Sequence, residues 1–257
     1  FDSGLGGLSV LKALRQHLPL ADLLYVADSG FAPYGERDDE FIVERSLTVS
    51  RFLLEQGAQA VVVACNTATA AAVHSLRTQW PHLPIVGVEP GVKPAVAASI
   101  NKRVGVLATP ATLGSAKFKR LMDEHGRGAT LFLQPCPGLA REIEKGLLDT
   151  PTLRALVQTF SEPLIQADTD TVVLGYTHYP FVAPLFQAAL GPRVRILDTA
   201  DAVARHTARL VNRLPPPPAC EPAVDGRTQL WSSADPAHLR EVARQWLGLD
   251  VTTGALP

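Results

Sequence analysis

Two stretches of this chain read as one piece used twice, roughly 110 residues apart: Ala60-Val61-Val62-Val63-Ala64-Cys65-Asn66-Thr67 and Thr171-Val172-Val173-Leu174-Gly175-Tyr176-Thr177-His178. Each is a β-branched apolar run, as a buried parallel strand requires, and each stops abruptly in polar residues. Three further pairs keep nearly the same spacing. Phe1-Asp2-Ser3-Gly4 matches Leu107-Ala108-Thr109-Pro110, and Leu24-Tyr25-Val26-Ala27-Asp28 matches Leu131-Phe132-Leu133-Gln134-Pro135. Pro84-Ile85-Val86-Gly87-Val88-Glu89 has a looser echo in Val194-Arg195-Ile196-Leu197-Asp198. A repeat of that length is a domain, too long for a solenoid unit. Short apolar strands alternating with helical stretches make each half a βαβ array on a parallel sheet. Ligands of such sheets sit outside the carboxyl ends of the strands, so a site is expected there, with one face from each half. The expected fold is therefore α/β, with two pseudo-symmetric domains. Residues 1–91 with 199–257 are expected to form the first and residues 92–198 the second.

The composition permits this and excludes several other classes. At 257 residues the chain is long enough for two cores, and 46% hydrophobic against 19% charged residues is ordinary for a folded protein. A formal net charge of −1, with no lysine or arginine run, leaves no electrostatic footprint for nucleic acid or an anionic membrane. The longest apolar stretches fall short of the ~18 residues of a membrane span. No charged-then-apolar leader precedes the array, and because the chain starts at Phe1 without Met a few residues are expected to precede it. Cys65, Cys136 and Cys220 are an odd set without paired spacing, which argues against a disulfide scaffold and for a reducing cytoplasm. After the Pro215-Pro216-Pro217-Pro218 run comes a tail, expected as a surface strand ending near Trp231 and a docking helix from Pro236 to about Leu247.

Four motifs end at the predicted ligand face. Asp2-Ser3-Gly4-Leu5-Gly6-Gly7 precedes a helix from about Leu8 to His17, and its glycines let backbone amides approach an anion. It is not a dinucleotide fingerprint, since Ser9 stands where the third glycine belongs. Ala32-Pro33-Tyr34-Gly35 is a turn by composition, and on its own would be a loop with Tyr34 at the surface; Asp28 ends the strand before it. Cys65-Asn66-Thr67-Ala68-Thr69 places a thiol at the start of a helix (Ala68 to about Arg77), where the helix dipole is expected to lower its pKa toward neutrality. Asn66, Thr67 and Thr69 offer donors for a carboxylate. Tyr176-Thr177-His178-Tyr179-Pro180 is the matching strand end, with His178 suited to assist proton transfer. A helix from Leu139 to Gly146 carries Glu144, either a partner for His178 or an exposed carboxylate. Cys136 reads as packing and Cys220 as inert.

Taken together these motifs resemble one family, the cofactor-independent glutamate racemases of the aspartate/glutamate racemase superfamily. Phe-Asp-Ser-Gly-x-Gly-Gly, Pro-Tyr-Gly, Cys-Asn-Thr-Ala-Thr, Gly-Val-Glu-Pro-Gly and Thr-His-Tyr-Pro occur in the family order from Phe1 to Leu247. The resemblance implies two α/β domains with glutamate between them, and interconversion of L- and D-glutamate to supply the D-isomer for peptidoglycan. It implies neither cofactor nor metal. Two cysteines on opposite faces of Cα do this chemistry in the family, the first-half thiol facing D-glutamate. Carried over by position, Cys65 is one catalytic thiol, Asp2 and His178 assist, and Asp28 and Glu144 support. Asp2, Ser3, Tyr34, Gly35, Asn66, Thr67, Thr177 and His178 are the implied substrate contacts. Homodimers are common in the family, although no interface is legible here.

One position departs from the pattern. Tyr176 stands where the family has its second cysteine. A thiol of pKa about 8.5 keeps a few per cent anion at pH 7, whereas a phenol of pKa about 10 keeps about a thousandth. Tyrosine can donate a proton but is a poor base, and its ring is bulky for a pocket shaped to a five-carbon diacid. The expectation is a glutamate racemase by descent with turnover impaired at Tyr176. The competing expectation is a silent member that binds glutamate or a protein partner.

Overall fold

Among the described residues nine strands carry the architecture: β1 (Leu23–Ala27), β2 (Val61–Val63), β3 (Ile85–Gly87), β4 (Arg103–Ala108), β5 (Thr130–Pro135), β6 (Thr171–Leu174), β7 (Arg195–Leu197), β8 (Thr228–Ser232) and β9 (Thr252–Ala255). The computed structural model describes residues 1–214 and 226–257; the proline run from Pro215 and Cys220 lie outside the described residues. The chain divides into two compact units, Phe1–Val88 with Ala200–Pro257, and Glu89–Thr199. Every strand pair is parallel.

In the second unit the strand order is β5-β4-β6-β7. In the first, β1-β8-β9 and β2-β3 are joined by residues 1–2. Asp2 N–H donates to Val26 O (3.0 Å), Asp28 N–H to Asp2 O (2.9 Å), and Ala64 N–H to Phe1 O (2.8 Å). Residues 1–2 thus lie between β1 and β2, as β4 lies between β5 and β6. The order β1, residues 1–2, β2, β3 in one unit repeats as β5, β4, β6, β7 in the other. The spacing repeat in the sequence is a repeat of topology.

The strands are buried because helices cover them. Val26, Val61 and Val63 share a core with Ile42, Val49 and Leu76 of the covering helices, while Val104, Val106 and Val173 pack with Val92 and Phe118. The first helix spans Leu8–His17, as the sequence indicated. The helix after β2 spans Asn66–Gln79 and begins two residues earlier than expected, with Cys65 itself as the N-cap. No described helix is long and apolar enough to cross a membrane.

The tail required correction. Its strand β8 is interior, hydrogen-bonded to β1 on one side and β9 on the other, with Leu230 and Ser232 buried. The sequence indicates a surface strand, because a five-residue run gives no sign of its neighbours, and it gives no signal for β9. The tail helix, Pro236–Leu247, buries Leu239, Val242 and Ala243.

Candidate active site

In the first unit three chain ends converge: residues 1–3, the end of β1 at Asp28 and the end of β2 at Cys65. The glycine-rich turn is tight because Gly7 has no side chain. A Cβ there would lie 2.7 Å from Asp2 Cβ and 2.9 Å from the Tyr25 ring. The Tyr25 hydroxyl secures the same turn by donating to Gly4 O at 2.6 Å. Cys65 Sγ accepts from Ala68 N–H (3.4 Å) and its thiol donates to Ser3 Oγ (3.6 Å). The Ser3 hydroxyl donates onward to Asp2 Oδ1 (3.2 Å), which also accepts Ser3 N–H (2.6 Å). A hydrogen-bonded path therefore runs from the thiol to a carboxylate, both fully buried.

The thiol is not poised near neutrality as the helix dipole suggested. Burial, and then the Asp2 carboxylate, push Cys65 up to about 12, and the bonds from Ala68 and Ser3 offset this only in part. Desolvating an anion outweighs the partial charge of a helix end. Next in the chain, Asn66 Oδ1 and Thr67 Oγ1 are buried without a hydrogen-bond partner among the described residues. Buried polar atoms are normally satisfied, so two adjacent orphans beside a thiol mark a place for ligand donors. Thr69, by contrast, is used structurally: its hydroxyl donates to Val63 O (3.1 Å) and accepts Val88 N–H (3.0 Å), tying β2 to the segment after β3.

Asp28 and Tyr34 form a second group in this unit. Tyr34, expected at the surface by its turn composition alone, is fully buried, and its hydroxyl donates to Asp28 Oδ2 at 2.5 Å. Arg45, on the helix Asp39–Glu55, grips both Asp28 oxygens, Nε to Oδ2 at 3.0 Å and Nη2 to Oδ1 at 2.9 Å. Burial, then the Asp28 charge and hydrogen bond, then Cys65, raise the Tyr34 pKa, so the phenol stays neutral and Cys65 lies within its electrostatic reach. Gly35 follows in the same turn, Tyr34–Glu36. Sequence reading missed Arg45, since nothing in a helical run marks which arginine will meet a strand end.

In the second unit Tyr176, Thr177 and His178 follow β6. Gly175 lets this chain end pass β4 closely, since a Cβ there would be 2.9 Å from Leu107 O. The Tyr176 and His178 rings stack, with centroids 4.9 Å apart and planes 11° from parallel. The Tyr179 ring lies 5.5 Å from that of Tyr176, tilted by 52°, and Tyr176 is buried. His178 Nε2 pairs with Glu144 Oε1, and Thr177 Oγ1 lies 3.5 Å from His178 Nδ1. Glu144 is thus a partner for His178, at the C-cap of a helix, Leu139–Ile143, shorter than the sequence indicated. Cys136 is buried against Tyr179; burial pushes its thiol up to about 12, and Tyr179 offsets this in part.

Known proteins resemble this chain in sequence and fold along nearly its whole length. Residues 8–207 fit the family model for Asp/Glu/hydantoin racemases. A glutamate racemase of Ectopseudomonas mendocina is 50% identical over 96% of this chain and 93% of its own length. That of Pseudomonas aeruginosa PAO1 is 45% identical over 100% and 96%. Among solved structures, Escherichia coli glutamate racemase, in complex with L-glutamate and the activator UDP-MurNAc-Ala, superposes with a TM-score of 0.88. It is 29% identical, covering 100% of this chain and 96% of that one. The Thermus thermophilus enzyme, in complex with β-chloro-D-alanine, gives 0.80 at 34% identity over 100% and 94%. By fold, motif order and identity along nearly its whole length, the chain belongs to the glutamate racemases of the Asp/Glu/hydantoin racemase family.

Proposed function

We propose that this chain interconverts L- and D-glutamate by cofactor-free proton transfer at Cα, in the service of peptidoglycan synthesis, with Cys65 acting on D-glutamate and Tyr176 limiting the reaction on the L side. The observation that carries this reading is the path from Cys65 Sγ through Ser3 Oγ to Asp2 Oδ1.

A thiol held at about 12 is a poor base unless its proton has somewhere to go. The path provides it. The S–H bond breaks as a proton passes to Ser3 Oγ, and the Ser3 proton passes to Asp2. A thiol beside a carboxylate becomes a thiolate beside a carboxylic acid. One negative charge is present before and after, which is the cheapest ionisation a buried site can make. The thiolate then takes the Cα proton: an S–H bond forms, the Cα–H bond breaks, and the electron pair spreads into the substrate carboxylate. Asn66 Oδ1 and Thr67 Oγ1 accept the α-ammonium, whose positive charge further favours the thiolate. Delivery of a proton to the other face falls to the Tyr176 hydroxyl, with His178, oriented by Glu144, next to it. In the reverse direction Tyr176 must act as an anion, and that demand makes it limiting in both directions, because the equilibrium constant between enantiomers is one.

The burial of Tyr176 against His178 favours a second reading, a member that binds glutamate without turning it over. Circular dichroism of each pure enantiomer separates the two. Slow loss of signal that disappears in Cys65→Ser supports a racemase; no loss at all, with glutamate bound, supports the silent member. Racemisation that persists in Cys65→Ser overturns the mechanism.

A further inference from the structure

Residues 28–34 connect β1 to the Tyr34 turn with only two single 3-10 turns, Ser29–Phe31 and Tyr34–Glu36, so the segment has little regular hydrogen bonding of its own. One side chain from outside grips it at two points, Asp28 and Phe31. The Arg45 guanidinium lies over the Phe31 ring, 3.7 Å from its centroid, and binds both oxygens of Asp28. Asp28 in turn accepts the hydrogen bond that the Tyr34 hydroxyl donates. Behind the segment, Gly30 N–H donates to Ser233 Oγ at 3.0 Å, so the strand β8 ends against it.

From this geometry we infer that Arg45 is a positioning residue for the glutamate site, fixing through Asp28 the place of the Tyr34 phenol in the core it shares with Cys65. The inference rests on the functional reading above for the word glutamate, but the positioning itself does not. With both Asp28 oxygens fixed by the fork, the carboxylate has one orientation, and Tyr34 has one place to donate. Its hydroxyl hydrogen is committed to Asp28, so any further partner of that oxygen must be a donor: an ammonium qualifies and a carboxylate does not. Arg45 also neutralises a fully buried charge, which would otherwise lie uncompensated. A lysine would supply the charge but cannot span both oxygens.

The test uses the full chain with Arg45→Gln, Arg45→Lys, Tyr34→Phe and the double variant Arg45→Gln/Tyr34→Phe. The chain has four tyrosines, so tyrosine labelled with 13C at Cζ gives a spectrum in which Tyr34 is assigned by its loss in Tyr34→Phe. The Tyr34 resonance is expected to shift in Arg45→Gln, and still to shift in Arg45→Lys although the charge is restored. D-Glutamate affinity by calorimetry should fall about 10-fold in Arg45→Gln, and the double variant should be no weaker than the weaker single one, because both remove the same positioned hydroxyl. An unshifted Tyr34 resonance, or losses that add, would overturn the inference; a merely structural arginine gives the additive result. If Arg45→Gln does not fold, Arg45→Lys carries both measurements. A wild-type chain that binds no glutamate refutes the functional reading alone, since the resonance decides the positioning without ligand.

Discussion

Replacing Tyr176 with cysteine changes rate and stability in opposite directions, which makes it a discriminating perturbation. The ring is buried, stacked 4.9 Å from His178 and in contact range of Tyr179 at 5.5 Å. Removing a buried aromatic costs about 3–5 kcal/mol when truncated to alanine, and the retained sulfur reduces this to roughly 2–4 kcal/mol. Tyr176→Cys should therefore melt lower. Its turnover should nonetheless rise. A thiol is intrinsically about 30-fold easier to ionise than a phenol, from unperturbed pKa values of about 8.5 and 10 that burial raises in either case, and a well-placed acid–base group contributes ~10²–10⁴-fold. A gain between about 30-fold and 10⁴-fold is expected, equal from either enantiomer. Circular dichroism of pure L- and D-glutamate gives both rates, calorimetry the affinities, and thermal melting the stability. A gain seen with a lower melting temperature cannot come from better folding. A folded variant that binds glutamate and gains nothing would refute the argument that residue 176 limits this site.

Ser3→Ala cuts the path from Cys65 to Asp2 and should lower kcat for loss of the D-glutamate Cα proton about 10²-fold with little change in KM, while Ser3→Thr keeps most of the rate; a pure substrate contact would raise KM instead. Stability should fall in alkali. Cys65 and Cys136 are both raised from 9.0 to about 12 by burial, so their contribution is complete below pH 9 and is lost as pH climbs toward 12, the unfolded chain ionising first. Each thiol should remove about 2 kcal/mol by pH ~10.5, and denaturant melts of Cys136→Ala should show a drop about 2 kcal/mol smaller than the wild type's between pH ~8 and ~10.5, the remainder coming from Cys65 and the buried Tyr34 and Tyr179 phenols.

What the sequence reveals here is what is local or periodic. The β-branched runs at Val61 and Val172, their polar ends and their common spacing were enough to place Cys65 and Tyr176 at equivalent strand ends. The helix Leu8–His17 was legible from its glycine-rich entry. What failed depended on distant partners. Tyr34 looked like a surface turn residue until Asp28 and Arg45 claimed its hydroxyl. The strand β8 looked peripheral because its neighbours, β1 and β9, are not encoded in its own alternation. The thiol pKa was misjudged for the same reason: the dipole of the following helix can be read from sequence, whereas complete burial and the closeness of Asp2 belong to the fold. Residue identities at strand ends carry the chemistry. The electrostatics that tune them come from packing.

In the proposed reaction Cys65 alone does thiol chemistry, on D-glutamate. Proton exchange at Cα tests it without requiring full turnover, because Cys65 can remove and return a proton on its own face. Each enantiomer is incubated with the wild-type chain in D2O and the Cα proton signal is followed by NMR, with Cys65→Ser as control. D-Glutamate should lose its proton faster than L-glutamate, and Cys65→Ser should abolish the loss. Equal exchange from both enantiomers at a rate high enough for two thiols, or exchange that survives Cys65→Ser, would contradict it.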